Sequence, residues 1–207
     1  MTMAAILAKK LGMTQRFLDD GRIERVTVLE AGPCPVTAIR TRERDGYQAV
    51  QLAFGRCKEK SLTKAQLGHL KKADAPAHRH LVEFRDEAGE LLVGDTVTVE
   101  AFSVGDRIKV SGTSKGKGFQ GTVRRHNFKR GPTSHGSHNV RAPGSIGASA
   151  TPSHVMKGLR GAGRMGGGRV TQRGLTVVEI IPGQHLMLVR GAVPGPRDAT
   201  VEVRADA

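Results

Sequence analysis

The sequence predicts a mainly β fold: a closed barrel of short strands, a small α/β insertion, and a long extended basic loop. Three observations carry this. Val, Ile and Leu gather in short runs at both ends of the chain, set off by Gly, Pro and Asp turn signals, which gives eight or nine strand candidates at barrel-like spacing. The hydrophobic period turns helical between Arg56 and Lys72. A 72-residue stretch from Arg107 to Val178 contains no Asp or Glu but 14 of the chain's 33 bases. The other 19 bases face all 19 acids, so the net charge of +14 lies in that one stretch. The expected division is a barrel body of 1–55, 95–112 and 170–207, an inserted subdomain of 56–94, and an arm of 113–169.

Taken in order, Ala4 to Ala8 is brief and apolar, and Gly12 is expected to break the run after it. Asp19-Asp20-Gly21-Arg22 signals a hairpin, because Asp-Gly supplies the positive φ of a tight two-residue turn. Ile23 to Glu30 reads as a strand, apolar on much of both faces. Gly32-Pro33-Cys34-Pro35 must be extended or turning, since proline forbids helix and donates nothing to a ladder. Val36 to Thr41 and Tyr47 to Phe54 are further strands joined around Asp45-Gly46. Leu62, Ala65, Gln66, Leu67 and Leu70 suit a short amphipathic helix capped by Ser61 or Thr63. His78 to Arg85 returns to strand character, and Glu87 to Glu90 is a turn. Asp95 to Phe102 alternates, as does Gly105 to Val110. After the basic stretch come Leu175 to Ile181, His185 to Val193 and Thr200 to Arg204, separated by Pro182-Gly183 and Pro194-Gly195-Pro196.

A pI near 10.6 calls for a polyanionic partner, nucleic acid before membrane. No run approaches ~18 apolar residues and no apolar leader segment is visible, so a soluble, unexported protein is expected. Cys34 and Cys57, 23 residues apart with no CxxC, read as reduced thiols.

From Thr113 to Arg169 the chain cannot make a core: bulk comes only from Phe119, Phe128, Ile146, Val155, Met156, Leu159 and Met165. Alone it reads as disordered, because too little apolar surface offsets the ordering entropy. Its varied Gly, His, Asn and Pro strings and its place between strands argue for a functional loop ordered by a partner. RNA fits: Lys and Arg neutralise phosphates, glycines let the backbone approach, and Arg, His and Phe stack on unpaired bases.

Enzyme readings fail on detail. Gly112 to Gly118 resembles a phosphate-cradling loop, but only three residues separate Gly112 from Gly116, and Gly118 stands where a Ser or Thr is needed. Gly161-Ala162-Gly163-Arg164-Met165-Gly166 matches GxGxxG without a preceding strand or following helix. His126, His135, His138 and His154 have no Cys or carboxylate beside them in the segment, so phosphate donation or stacking is expected rather than a metal. No catalytic residue, cofactor or small-molecule substrate is expected.

The same strings carry a family resemblance. Gly112-Thr-Ser-Lys-Gly-Lys-Gly-Phe-Gln-Gly121, Arg125-His-Asn-Phe128, Gly131-Pro-Thr-Ser-His-Gly-Ser137 and Pro143-Gly-Ser-Ile-Gly147 closely resemble the bacterial large-subunit ribosomal protein "L three" family. So do Leu11-Gly-Met-Thr14, Ala31-Gly-Pro-Cys-Pro-Val36 and Gly191-Ala-Val-Pro-Gly195. The resemblance implies a translation-factor-like barrel with an inserted subdomain and an extension that threads into the large subunit. It also implies binding near the 3′ end of 23S-type ribosomal RNA, an early role in assembly, neighbouring ribosomal proteins as partners, and residence in the cytoplasm on the ribosome. The RNA-binding positions it implies, together with the basic residues around the matching strings, are Lys115, Lys117, Arg124, Arg125, His126, Asn127, Phe128, Lys129, Arg130, Ser134, His135, Ser137, His138, Arg141, Ser145, Lys157, Arg160, Arg164 and Arg169. Pro143, Gly144, Ser145, Ile146, Gly147 and Ala148 correspond to the inner tip near the peptidyl-transferase centre. Two departures stand out. Many relatives carry a methylated Gln where this chain has Ala148, and the return limb Leu159 to Gly166 has fewer lysines than the family pattern. The alternative is a general RNA chaperone or architectural factor outside the ribosome.

Overall fold

The computed structural model of the chain describes residues 4–18, 21–85 and 91–206. Its strands are β1 (Ala5–Phe17), β2 (Ile23–Ala31), β3 (Cys34–Arg40), β4 (Ala49–Arg56), β5 (His78–Phe84), β6 (Thr96–Val97), β7 (Arg107–Thr113), β8 (Phe119–Gln120), β9 (Gly163–Arg164), β10 (Arg169–Ile181), β11 (Leu186–Arg190) and β12 (Thr200–Ala205). The helices are α1 (Arg42–Asp45), α2 (Lys64–Lys72) and α3 (Thr122–His126). The chain divides into two compact units, one of 1–113 with 169–207 and one of 114–168.

In the first unit the expected closed barrel is present: six antiparallel strands follow the order β1-β12-β7-β10-β11-β2 around the ring. Period-two burial builds its interior. Ile108 and Val110 on β7, Leu175 and Val177 on β10, Met187 and Val189 on β11, and Val201 and Val203 on β12 are all buried. Each fully buried aliphatic side chain contributes roughly 1.5–3 kcal/mol relative to exposure. Buried Lys10 ties the loop before β12 to β1: its Nζ donates to the carbonyls of Val193 (2.7 Å) and Gly195 (3.1 Å).

Residues 34–55 do not join the barrel, contrary to the expected division. β3 and β4 pair with each other, and with β5 and β6 they form a separate sheet in the order β5-β4-β3-β6. Periodicity could not separate the two arrangements, because this sheet is buried like a barrel strand: Val36, Val50, Leu52 and Phe84 share one apolar cluster with Ile6, Leu29 and Ile108. The four-stranded sheet therefore starts at β3, ahead of residue 56. Thr63 rather than Ser61 is the cap of α2, in a reciprocal capping box with Gln66. A polar network ties the sheet together. Glu83 accepts from Tyr47 (2.7 Å), Arg40 (3.2 Å) and Gln51 (3.3 Å), while the Gln51 side-chain oxygen meets Thr37 and His69. The Tyr47 hydroxyl and the Arg40 guanidinium hold the Glu83 carboxyl below the usual range.

Two further expectations change. β1 runs through Gly12 to Phe17, because a bulge between Lys10 and Gly12 absorbs the irregularity without ending the strand. The alternation of Asp95 to Phe102 yields only β6, since Thr96 and Val97 pair with Pro35 and Cys34 before a 3-10 turn at Val99–Ala101 takes over. The hairpin signal at Asp19-Asp20 and the turn at Glu87 to Glu90 lie outside the described residues. Cys34 and Cys57 are free, and burial pushes the Cys34 thiol up to about 12.

Candidate nucleic-acid interface

The second unit, 114–168, starts where the β7–β10 ladder ends, at the Thr113–Arg169 pair. Its two limbs keep pairing. The Ser114 amide donates to Gly168 (2.9 Å), Gly167 to Ser114 (3.1 Å), Lys117 to Met165 (2.9 Å) and Met165 to Gly118 (2.9 Å). β8 and β9 then pair, Phe119 with Arg164 and Gln120 with Gly163. One glycine is required by this close approach: a Cβ on Gly166, at φ +70°, would collide with the Lys115 carbonyl oxygen, whereas one on Gly163 would meet only the movable end of the Arg125 side chain.

Beyond this ladder, α3 is closed by Asn127 in the left-handed conformation (φ 59°), which Asn tolerates better than most residues. Arg125 donates from Nη1 to the Gly161 carbonyl at 2.9 Å, and His126 Nε2 lies 3.1 Å from the same oxygen. A carbonyl only accepts, so Nε2 carries the proton in that contact. The His126 and Phe128 rings meet at a tilt of 46° with centroids 6.1 Å apart. The loop 131–140 is closed by the Gly131 amide on the Val140 carbonyl (2.9 Å).

The predicted positions fall into three groups. Lys115, Lys117, Arg124, Asn127, Lys129, Arg130, Ser134, His135, His138, Arg141, Ser145, Lys157, Arg160 and Arg164 are exposed. Arg125, His126, Phe128 and Ser137 are half-buried, and the first two brace the opposite limb. Arg169 belongs to β10 of the first unit, where Glu202 accepts from its guanidinium at 2.5 Å. Pro143 to Ala148 are exposed throughout. Within 114–168 there are ten bases and no carboxylate to neutralise them.

Of the unit's exposed large apolar groups, the predicted positions include only Ile146. Phe119 is 77% exposed, and Ile146, Val155, Met156 and Leu159 are also open to solvent. The sequence shows Phe119 as bulk within a family-matching string, but β8 is too short for periodicity to show which way it points. An apolar cleft of about 520 Å³ lies between Phe128, Ile146 and Leu159, with Arg141 and Arg160 in its lining. Among the described residues no cluster of His, Cys, Asp or Glu is placed to hold a metal. His154 Nδ1 instead meets the Pro152 carbonyl at 2.9 Å.

The family described as "Ribosomal protein L3" matches this chain over residues 60–185, a span that includes the whole basic unit. The chain is 52% identical over 204 residues to the "Large ribosomal subunit protein uL3" of Acidothermus cellulolyticus, covering 98% of this chain and 92% of that protein. It is 49% identical over 199 residues to the protein of the same name from Thermosynechococcus vestitus, covering 96% and 94%. The chain belongs to the ribosomal protein L3 family. Identity at this level over nearly full length takes in the barrel and the four-stranded sheet as well as the basic unit.

Proposed function

We propose that this L3-family chain is a structural component of the large ribosomal subunit, that it binds large-subunit RNA directly, and that 114–168 is the binding element. One observation carries the reading: an exposed unit with ten bases, no carboxylate and no buried apolar side chain. Such a unit gains little from packing and much from phosphates, each base that meets one releasing counterions. Folded RNA would be recognised by shape and backbone, with exposed Phe119 and the guanidinium planes available to stack on unpaired bases. The relatives carry "large ribosomal subunit" in their names, which supports this RNA over others. On the family resemblance we extend the proposal to an early assembly role, to neighbouring subunit proteins as partners, and to 143–148 as the part reaching toward the peptidyl-transferase centre. No catalytic role is proposed.

The test is sedimentation of a lysate through a sucrose gradient at near-physiological salt. The chain is expected to comigrate with the large subunit at one copy each. Substoichiometric migration with free RNA would replace the proposal with that of a general RNA chaperone.

A further inference from the structure

Resting on the RNA-binding reading, we infer that the cleft between Phe128, Ile146 and Leu159 receives a single unstacked nucleobase of the bound RNA. Three features lead there. The cleft, at about 520 Å³, falls within the range of roughly 300–1,000 Å³ typical of small-molecule sites. That volume is large enough for a base with its sugar. Those walls are apolar in a unit that has nothing apolar to cover them: Ile146 is 54% and Leu159 50% exposed. One wall is also fixed in place. Arg125 and His126 both bond the Gly161 carbonyl at its edge, and the His126 ring packs against the Phe128 ring.

Charge selects the occupant. Arg141 and Arg160 belong to the lining, and no carboxylate exists anywhere in the unit. An apolar protein side chain would satisfy the walls and leave the two guanidinium groups unanswered. A nucleotide satisfies both at once, its base in the apolar space and its phosphates against the arginines. Such a pocket would add positional specificity that phosphate contacts alone do not supply.

The experiment uses the full chain with a large-subunit RNA transcript in which uridines are replaced at random by photoreactive 4-thiouridine, irradiated at long wavelength and mapped by mass spectrometry. Cross-links are expected on peptides containing Phe128, Ile146 or Leu159. In Phe128→Leu, which keeps bulk but removes the π face, affinity is expected to fall about tenfold, as for loss of one stacked base. Its salt dependence should not change, because no charge is lost. Ile146→Trp fills the cleft from an exposed position that has no structural demand, and is expected to abolish the cross-links. Retained affinity in both variants, with cross-links elsewhere in 114–168, would overturn the nucleobase pocket and leave the RNA-binding reading standing. The same holds if a neighbouring protein is cross-linked to these residues in intact subunits. Absence of RNA binding by the unaltered chain would overturn both.

Discussion

The two units are built on opposite terms. In the first, 23 bases face 19 acids, and a continuous apolar cluster runs from the barrel into the four-stranded sheet. In the second, ten bases face none, and every buried apolar residue among those described lies outside it. The first is held by side chains removed from water. The second is held by paired limbs that approach closely at Gly166 and by the grip of Arg125 and His126 on one carbonyl. Burial makes a unit stable on its own, whereas uncompensated charge makes one that gains its stability from a polyanion. On the proposed function, one chain thus separates the work of staying folded from the work of binding.

The sharpest way to break this comparison is to damage each unit and measure the other's property. Leu29→Ala removes a fully buried side chain from the barrel and is expected to cost about 2–5 kcal/mol in urea unfolding, with the salt dependence of RNA binding unchanged. Phe119→Ala, in the basic unit, is expected to leave the urea midpoint where it was. Comparable destabilisation by the two would mean that the basic unit carries a core after all.

A smaller effect is expected from Gly166→Ala, whose Cβ has no room and whose backbone is left-handed. Strain of ~1–3 kcal/mol should open the limb pairing and lower RNA affinity by about tenfold. Amide exchange at Lys117 and Met165 should quicken while barrel amides stay protected. Quickened exchange at barrel positions alone, or unchanged RNA affinity, would show that the pairing is irrelevant to binding.

The smallest effect concerns acid. Glu83 has its folded pKa lowered below the ordinary 4.5, first by Tyr47 and then by Arg40. Its contribution to stability is therefore fully present above about pH 4.5 and is lost as pH falls through the lower folded value. Glu83→Gln should be slightly less stable than the unaltered chain at neutral pH, and the gap should close on acidification. A gap that persisted at low pH would assign the loss to packing instead of charge. The basic unit has no carboxylate to titrate, so no counterpart is expected there.

Much of this was legible in the sequence, for physical reasons that differ by region. Turn chemistry and period-two burial marked β2, β5 and β12 to within a residue or two of their observed bounds, and the helical period marked α2 with Thr63 as one of two candidate caps. Which sheet a strand enters was not legible, because β3 and β4 have buried positions like those of a barrel strand and the choice is made by pairing with β6 and β5 further along the chain. Gly12 misled for the opposite reason: a bulge tolerates what a regular strand does not. In the basic unit, charge revealed the class of partner, but composition gave no warning that Arg125 and His126 would turn inward or that Phe128, Ile146 and Leu159 would converge on a cleft. Those depend on how the limbs close, which neither period nor propensity encodes.

The central claim is that affinity for large-subunit RNA resides in 114–168. It is tested most directly by the salt dependence of binding for the full chain and for a chain in which a two-residue turn joins Thr113 to Arg169, its ladder partner. If ~8 bases of the unit meet phosphates, log affinity should fall against log salt with a slope of about −6 for the full chain, and the shortened chain should bind weakly with a slope near zero. Equal slopes and equal affinities for the two chains would contradict the account.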